Sequence, residues 1–299
     1  MAAIPACRDF GTRLMGAAAE WVRLKVHSHL ANTVEDIDRN IEAALDLNLP
    51  PLQSVLGTEQ GTVSVVGSGP SLKANWRSLK RMRGDIVACN ASCQFLLERG
   101  IVPKYMMCFD ADPLMLEFIT PHPDITYLLS SRCPPKAFKM LKDCKVVCWH
   151  AGGDEHIEDI LVRRRRMEPL VKGGTAAITR AMILVLPMGY TDIHLWGADS
   201  SFSKGDTHIR QSTTLEKRMM VSVAGRAFEC APWMAQQAED FKVLAPIMAG
   251  HKASLTVHGD GLIPQIAASM GFHVDWRLRI RQFVREWAFT AREVWNVAM

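Results

Sequence analysis

The pattern of apolar and polar positions changes character near residue 60. Before it, Ile37, Ile41, Ala44 and Leu45 recur at helical spacing, and Thr33 followed by Asp36 has the form of an N-capping box. Pro50 and Pro51 end that segment. Beyond it, short runs rich in apolar and β-branched residues alternate with stretches of helical length. The runs predict strands at Thr62–Val66, Asp85–Cys89, Tyr105–Phe109, Thr126–Leu129, Lys145–Trp149, Asp192–Trp196 and Ser254–Val257. Helices are predicted at Leu72–Arg81, Ala91–Arg99, Pro135–Leu141, Thr175–Met188 and Leu262–Met270. Strands separated by helices build a parallel sheet that is covered on both sides. The expected fold class is therefore α/β: a Rossmann-like, mostly parallel sheet with helices on both faces, a helical N-terminal appendage and a C-terminal helix.

In the tail, Ile280, Phe283, Val284, Trp287, Ala291 and Val294 form an apolar stripe, with most of the nearby arginines off it. The expected organisation is a helical N-terminal segment over residues 1–58, a nucleotide-binding catalytic domain over 59–275, and a C-terminal amphipathic helix over 276–299. Docking of that helix on the domain or on a second subunit, giving a homo-oligomer, is the default expectation. Binding along an anionic membrane surface is the secondary one.

Composition narrows the class only modestly. The 299 residues are 48% hydrophobic and 22% charged with a formal charge of +4, ordinary values for a globular chain, and the mildly basic balance does not by itself argue for nucleic acid. No apolar run is long enough to cross a membrane, and the first residues lack a signal-peptide layout, so a cytoplasmic protein is expected. The eight cysteines lie mostly within apolar runs and read as reduced core thiols. Cys89/Cys93 and Cys144/Cys148 lack the tight spacing and companion ligands of a structural zinc site.

The chemistry collects where the predicted strands end. "VVGSGPSLK" at Val65–Lys73 places Gly67, Ser68, Gly69, Pro70 and Ser71 between a strand and a helix. Such a turn lets backbone N–H groups approach an anion at the positive end of a helix. The alternative is a tight connection whose glycines supply positive φ. Asn90 follows the second strand, Asp110 and Asp112 the third, His150 the fifth, Asp199 and then His208 the sixth. In a doubly wound sheet, ligands bind outside the carboxyl ends of the strands at the topological switch point. The clustering therefore predicts an active-site crevice.

The ordered pieces "VVGSGPSL", "DIVACNAS", "PKYMMCFDADP", "KGGTAAITRAMILVLPMGYTDIHLWGADSSF" and "GDTH", spread over roughly residues 60–275, resemble the MptE-like family. That family includes archaeal 6-hydroxymethylpterin diphosphokinases and flagellin-modifying glycosyltransferases. The same pieces are similar to bacterial sialyltransferases that use a CMP-activated sugar. The resemblance implies a transferase with a nucleotide-activated donor, CMP-sugar-like or ATP, and a hydroxyl-bearing acceptor. It implies nucleotide contacts at Gly67, Gly69, Pro70, Ser71, Asn90, Gly173, Gly174 and Thr175, and catalytic roles for Asp199, in the family's G-x-D, and for His208, in the segment carrying a functional histidine. Ser200, Ser201 and Phe202 stand where the sialyltransferases have tyrosines, which argues against a sialic-acid donor.

Asp110 and Asp112 form a D-x-D that could hold Mg²⁺ against phosphate oxygens; alternatively Asp112 caps a helix beginning at Pro113. His208 is the candidate base, with His150 and His258 as substitutes. Lys172 reads either as a phosphate neutraliser or as a solvated lysine, and Arg163–Arg166 either as a solvated helix face or as an attractor of a polyanionic acceptor. Three functions follow: sugar transfer from a nucleotide donor, pyrophosphate transfer from ATP to a hydroxymethyl group, and nucleotide binding without catalysis.

Overall fold

The computed structural model describes residues 32–153, 155–203 and 217–275. Thr33 starts helix α1 (Val34–Asp46). Its hydroxyl oxygen accepts from the Asp36 N–H, and the Asp36 carboxylate reaches back to the Thr33 N–H. The buried face of α1 consists of Ile37, Ile41, Ala44 and Leu45, the residues whose spacing predicts it.

Eleven strands follow among the described residues: β1 (Gly61–Val66), β2 (Asp85–Cys89), β3 (Tyr105–Cys108), β4 (Thr126–Ser130), β5 (Lys145–Ala151), β6 (Leu170–Val171), β7 (Tyr190–Trp196), β8 (Met219–Val223), β9 (Arg226–Cys230), β10 (Ser254–His258) and β11 (His273–Asp275). Nine form one sheet in the order β11-β10-β7-β1-β2-β3-β4-β5-β6, every neighbouring pair parallel. β8 and β9 form a separate antiparallel hairpin, turned through Ala224 and Gly225, both at positive φ.

The chain runs outward from β1 to β6, then returns to the other side of β1 with β7. The switch point therefore lies between β1 and β7. The helices are α2 (Leu72–Leu79), α3 (Ser92–Leu97), α4 (Pro135–Met140), α5 (Glu155–Arg163), α6 (Ala177–Met188), α7 (Pro232–Gly250) and α8 (Leu262–Ser269). They bury both faces of the sheet. Val63, Val65, Val87, Met107, Leu128 and Trp149 face the core under α6, α7 and α8. Val66, Ala88, Met106, Leu129 and Cys148 face the core under α2, α3 and α4. Period-two alternation between two dry layers is why these strands read as continuous apolar runs.

The seven expected strands and five expected helices are present, with ends shifted by a few residues. The shortest strands, β6 and β11, are too brief to show a period. Helix α7 is absent from the sequence reading because its outer side keeps Val243, Pro246 and Ile247 exposed, so it lacks the polar stripe that marks a surface helix. The expected C-terminal helix lies outside the described residues.

Helix α1 is joined closely to the sheet unit. Ile37, Ile41 and Leu45 pack with Ile157, Ile160 and Leu161 of α5 and with Ala111. The Pro50 carbonyl accepts from the Cys148 N–H of β5 at 2.9 Å. The arginine run serves this junction. Arg164 donates to Glu42 and Asp46, Arg163 lies 3.7 Å from Glu42, and Arg166 donates to Glu168 and Asn48. Three of its four arginines are thus committed within the chain.

Among the described residues, no helix is long and apolar enough to cross a membrane. All seven described cysteines are free thiols, and six are buried. Burial raises the thiol pKa to about 12 at Cys93 and Cys148 and about 11 at Cys230. In a Cys7→Ser background the native protein should therefore give at most one fast-reacting thiol, Cys144, against seven in denaturant. Ellman titration before and after unfolding checks this, and two or more fast native thiols would contradict the burial.

Candidate functional site

At the switch point the loops after β1 and β7 are fastened to each other. The Gly67 N–H donates to the Trp196 carbonyl at 2.8 Å, and the Gly69 N–H to the Gly197 carbonyl at 2.8 Å. Each approach needs a missing side chain. A Cβ on Gly67 would meet the Ile178 side chain and the Gly197 carbonyl, and one on Gly69 would meet the Gly197 carbonyl and the Asp199 carboxylate. Asp199 completes the fastening by accepting the Ser71 N–H at 2.8 Å on Oδ2.

Asp199 is 2% exposed, and its Oδ1 has no hydrogen-bond partner. Burial, opposed by the Ser71 hydrogen bonds, raises its pKa to about 6. Gly259 and Gly261, in the loop after β10, come close enough that a Cβ on either would meet Asp199. One carboxylate thus joins three strand-end loops.

The second Gly-rich turn is built alike. Thr175 donates its N–H and its hydroxyl to Asp240 Oδ2 of α7, both at 2.7 Å. Gly174 sits at φ +78° against that carboxylate, and Gly173 lets the turn press on the Arg180 backbone. In both turns a protein carboxylate accepts one backbone N–H just before a helix, Ser71 for Asp199 and Thr175 for Asp240, near the place where a phosphate reading would put the ligand.

Beside these turns is a cavity of about 540 Å³, a size suited to a small-molecule ligand. Of the sequence-predicted site residues, Gly67, Ser68, Gly69, Asn90, Asp110, Asp112, Gly174, Thr175 and Asp199 line it. Pro70, Ser71 and Gly173 stand behind the lining. Asn90 adopts φ +49°, a left-handed conformation asparagine tolerates, and its Oδ1 is buried without a partner. His208 lies outside the described residues.

The substitute histidines are structural. His150, 1% exposed, sits between Ser131 Oγ (2.9 Å) and Glu168 Oε2 (3.0 Å), away from the cavity lining, and burial lowers its pKa. His258 stacks on Trp196 with ring centroids 3.6 Å apart and lies 2.8 Å from His194; burial lowers its pKa to about 3. Lys172 is exposed and outside the lining.

Asp110 and Asp112 do reach the same wall, but they divide the work. Asp112 Oδ1 caps the 3-10 turn Pro113–Phe118 by accepting the Leu114 N–H at 2.8 Å. Displacement of water by the concave wall raises the Asp110 pKa, with the Arg132 charge opposing. Among the described residues no group of three or more His, Cys, Asp or Glu side chains could hold a metal. Asp110, which accepts backbone N–H groups and neighbours an arginine, and the capping Asp112 do not by themselves fit a resident Mg²⁺.

Sequence reading missed Arg132 and Arg180, which also line the cavity. Neither follows a motif. Arg132 lies two residues past β4 and Arg180 within the apolar helix α6, so only the fold aims both at one space.

A family model described as 6-hydroxymethylpterin diphosphokinase MptE-like matches residues 35–205. The chain belongs to the MptE-like family. The match begins in α1, in keeping with the attachment of α1 to the sheet unit. No curated protein matches the sequence. Among solved structures, the chain is similar to an MAf glycosyltransferase from Magnetospirillum magneticum AMB-1, with 16% identity over 76% of this chain and a TM-score of 0.55. The chain spans 36% of that protein, and the likeness agrees with the α/β fold. A mammalian sialyltransferase is also found, with 13% identity, 75% of this chain and 79% of that one covered, and a TM-score of 0.40.

The buried Asp199 of this MptE-like chain sets a pH dependence. A folded pKa near 6, above the ordinary 3.8, means the folded state holds the proton between those values. Stability from this group is complete below about pH 4 and is lost as pH rises through 6. Asp199→Asn keeps the acceptor for the Ser71 N–H and removes the charge. The wild type should lose roughly 2 kcal/mol relative to this variant between pH 4 and pH 7. Urea unfolding of both proteins across that range measures it; a difference that stays flat with pH would show the carboxyl titrates as it does in water.

Proposed function

We propose that the chain is a transferase that holds a nucleotide-activated donor in the β1/β7 crevice and moves a group, a sugar in the leading reading, onto an acceptor hydroxyl. The observation that carries this is the position of the cavity: it opens at the topological switch point, where parallel sheets bind nucleotides, with Asn90 in its lining. Gly67, Ser68 and Gly69 form the floor under the donor, with Pro70 and Ser71 supporting it. Gly174 and Thr175 line a second wall, with Gly173 behind them, and Asp199 keeps the floor in shape.

In the reaction, the acceptor oxygen bonds to the donor carbon, and the bond from that carbon to the phosphate oxygen breaks. The leaving nucleotide keeps the electron pair, and the acceptor's proton passes to a base. His208 is the candidate base on the sequence alone. Stabilisation of the departing phosphate contributes the largest share of catalysis in such a transfer.

Pyrophosphate transfer from ATP to a hydroxymethyl group is the second reading, favoured by the description of the matching family model. It would require Mg²⁺ carried on the nucleotide.

A thermal-shift screen against CMP, UDP, GDP and adenine nucleotides, each with and without Mg²⁺, tests the proposal. One nucleotide class should raise the melting temperature, since saturation to a hundred times Kd stabilises by about 2.7 kcal/mol. No shift with any nucleotide would overturn the nucleotide reading; a shift only with ATP and Mg²⁺ would favour the diphosphokinase. With an activity in hand, His208→Ala should cut turnover about 10²–10⁴-fold and leave nucleotide affinity nearly intact. Unchanged turnover would remove His208 as base, whereas nucleotide binding with no turnover of any donor in the wild type would favour a binding protein.

A further inference from the structure

Arg180 is 7% exposed, yet no carboxylate lies within ion-pair distance of it among the described residues. Its Nη1 donates to the carbonyls of Gly152, at 3.2 Å, and Val171, which fixes one edge of the guanidinium. Its Nε has no partner, and neither has the Nε of Arg132. Both guanidiniums lie against the ring of Phe109, at 4.4 Å from Arg180 and 5.2 Å from Arg132, and Phe109 is braced on Trp149. The nearby Asp240 is already committed to Thr175 and Gln236. Burial first, and repulsion from Arg132 second, bring the Arg180 pKa down to about 10, so it remains charged at neutral pH.

Arg132 has the Asp110 charge nearby, but two cations held together in a partly dry wall, each with an unused donor, are costly unless a further anion completes them. Planar guanidiniums match phosphate oxygens in pairs, and the aromatic ring between them fixes their planes.

We infer that the Arg132–Phe109–Arg180 wall of the cavity is an anion subsite for a phosphoryl or pyrophosphoryl group of the ligand. The inference rests on the proposed reading of this cavity as a nucleotide site and assigns the phosphate charge to two side chains instead of the Gly-rich turns. In each of those turns a carboxylate already accepts one backbone N–H.

Calorimetry on the full chain at low salt tests it with three probes: inorganic pyrophosphate, the nucleotide giving the largest thermal shift, and its parent nucleoside. The proteins are wild type, Arg132→Gln, Arg180→Gln and Arg180→Lys. Pyrophosphate and nucleotide should each bind at least tenfold more weakly to either Gln variant, with Arg180→Lys between, while the nucleoside is unaffected. Pyrophosphate that fails to bind the wild type, or phosphate affinities unchanged in the Gln variants, would overturn the subsite. Nucleotide binding that ignores both arginines would sink the subsite and keep the donor reading. Arginine-dependent pyrophosphate binding without any nucleotide binding would keep the subsite and sink the donor reading. If Arg180→Gln fails to fold, judged by its melting curve, the half-buried Arg132→Gln decides alone.

Discussion

The structure turns on the hydrogen bond from the Ser71 N–H to the Asp199 carboxylate, and on the glycines that let the two loops meet. A parallel sheet whose chain reverses direction leaves a gap beside its central strand. Here the loops bordering that gap are drawn together by backbone bonds from Gly67 and Gly69 and by one buried side chain. Because Asp199 also supports Gly259 and Gly261, its position fixes the edges of β1, β7 and β10 at once. The cost is a carboxylate removed from water, visible as its raised pKa.

That arrangement explains the division of charge around the cavity. A helix N-terminus behind a Gly-rich turn is an anion site, and this chain supplies the anion itself, Asp199 at α2 and Asp240 at α6. The turns become walls of the cavity, and its cationic lining is Arg132 and Arg180. Arg180 is held by carbonyls, which orient it without neutralising it. A site built so keeps its shape in the absence of ligand, because its strongest interactions are internal.

The remaining polar burial follows the same economy of partners. His150 bridges Ser131 and Glu168, with Arg166 completing the row, and this joins β5 to the segment before β6. At the opposite edge, His258 lies flat on Trp196 beside His194. Under the sheet, Asp85 accepts from Tyr190 and Lys104, while Glu59 accepts from Tyr105 and Lys104, tying the starts of β2, β3 and β7. These groups serve the architecture, and none lines the cavity.

The sequence by itself determined the strands at the centre of the sheet and the helices that cover it. A strand buried on both faces must be apolar throughout, and a capped helix must show its spacing, so β1 to β5, β7, β10 and α1 were legible. It also determined that Asn90, Asp110, Asp112 and Asp199 follow strands, which is enough to bring them to one edge. Only the tertiary structure decided what each does there. Whether a glycine serves a ligand or a neighbouring loop depends on what stands opposite it, and Gly69 faces Asp199 and Gly197. Whether a histidine is a base depends on access to the crevice, which β5 denies to His150. Arg132 and Arg180 are 48 positions apart with nothing local to join them, and they meet across one phenylalanine because the sheet order places β3, β4 and α6 side by side. Contacts between distant segments are made by the fold, and a linear pattern records only the neighbours along the chain.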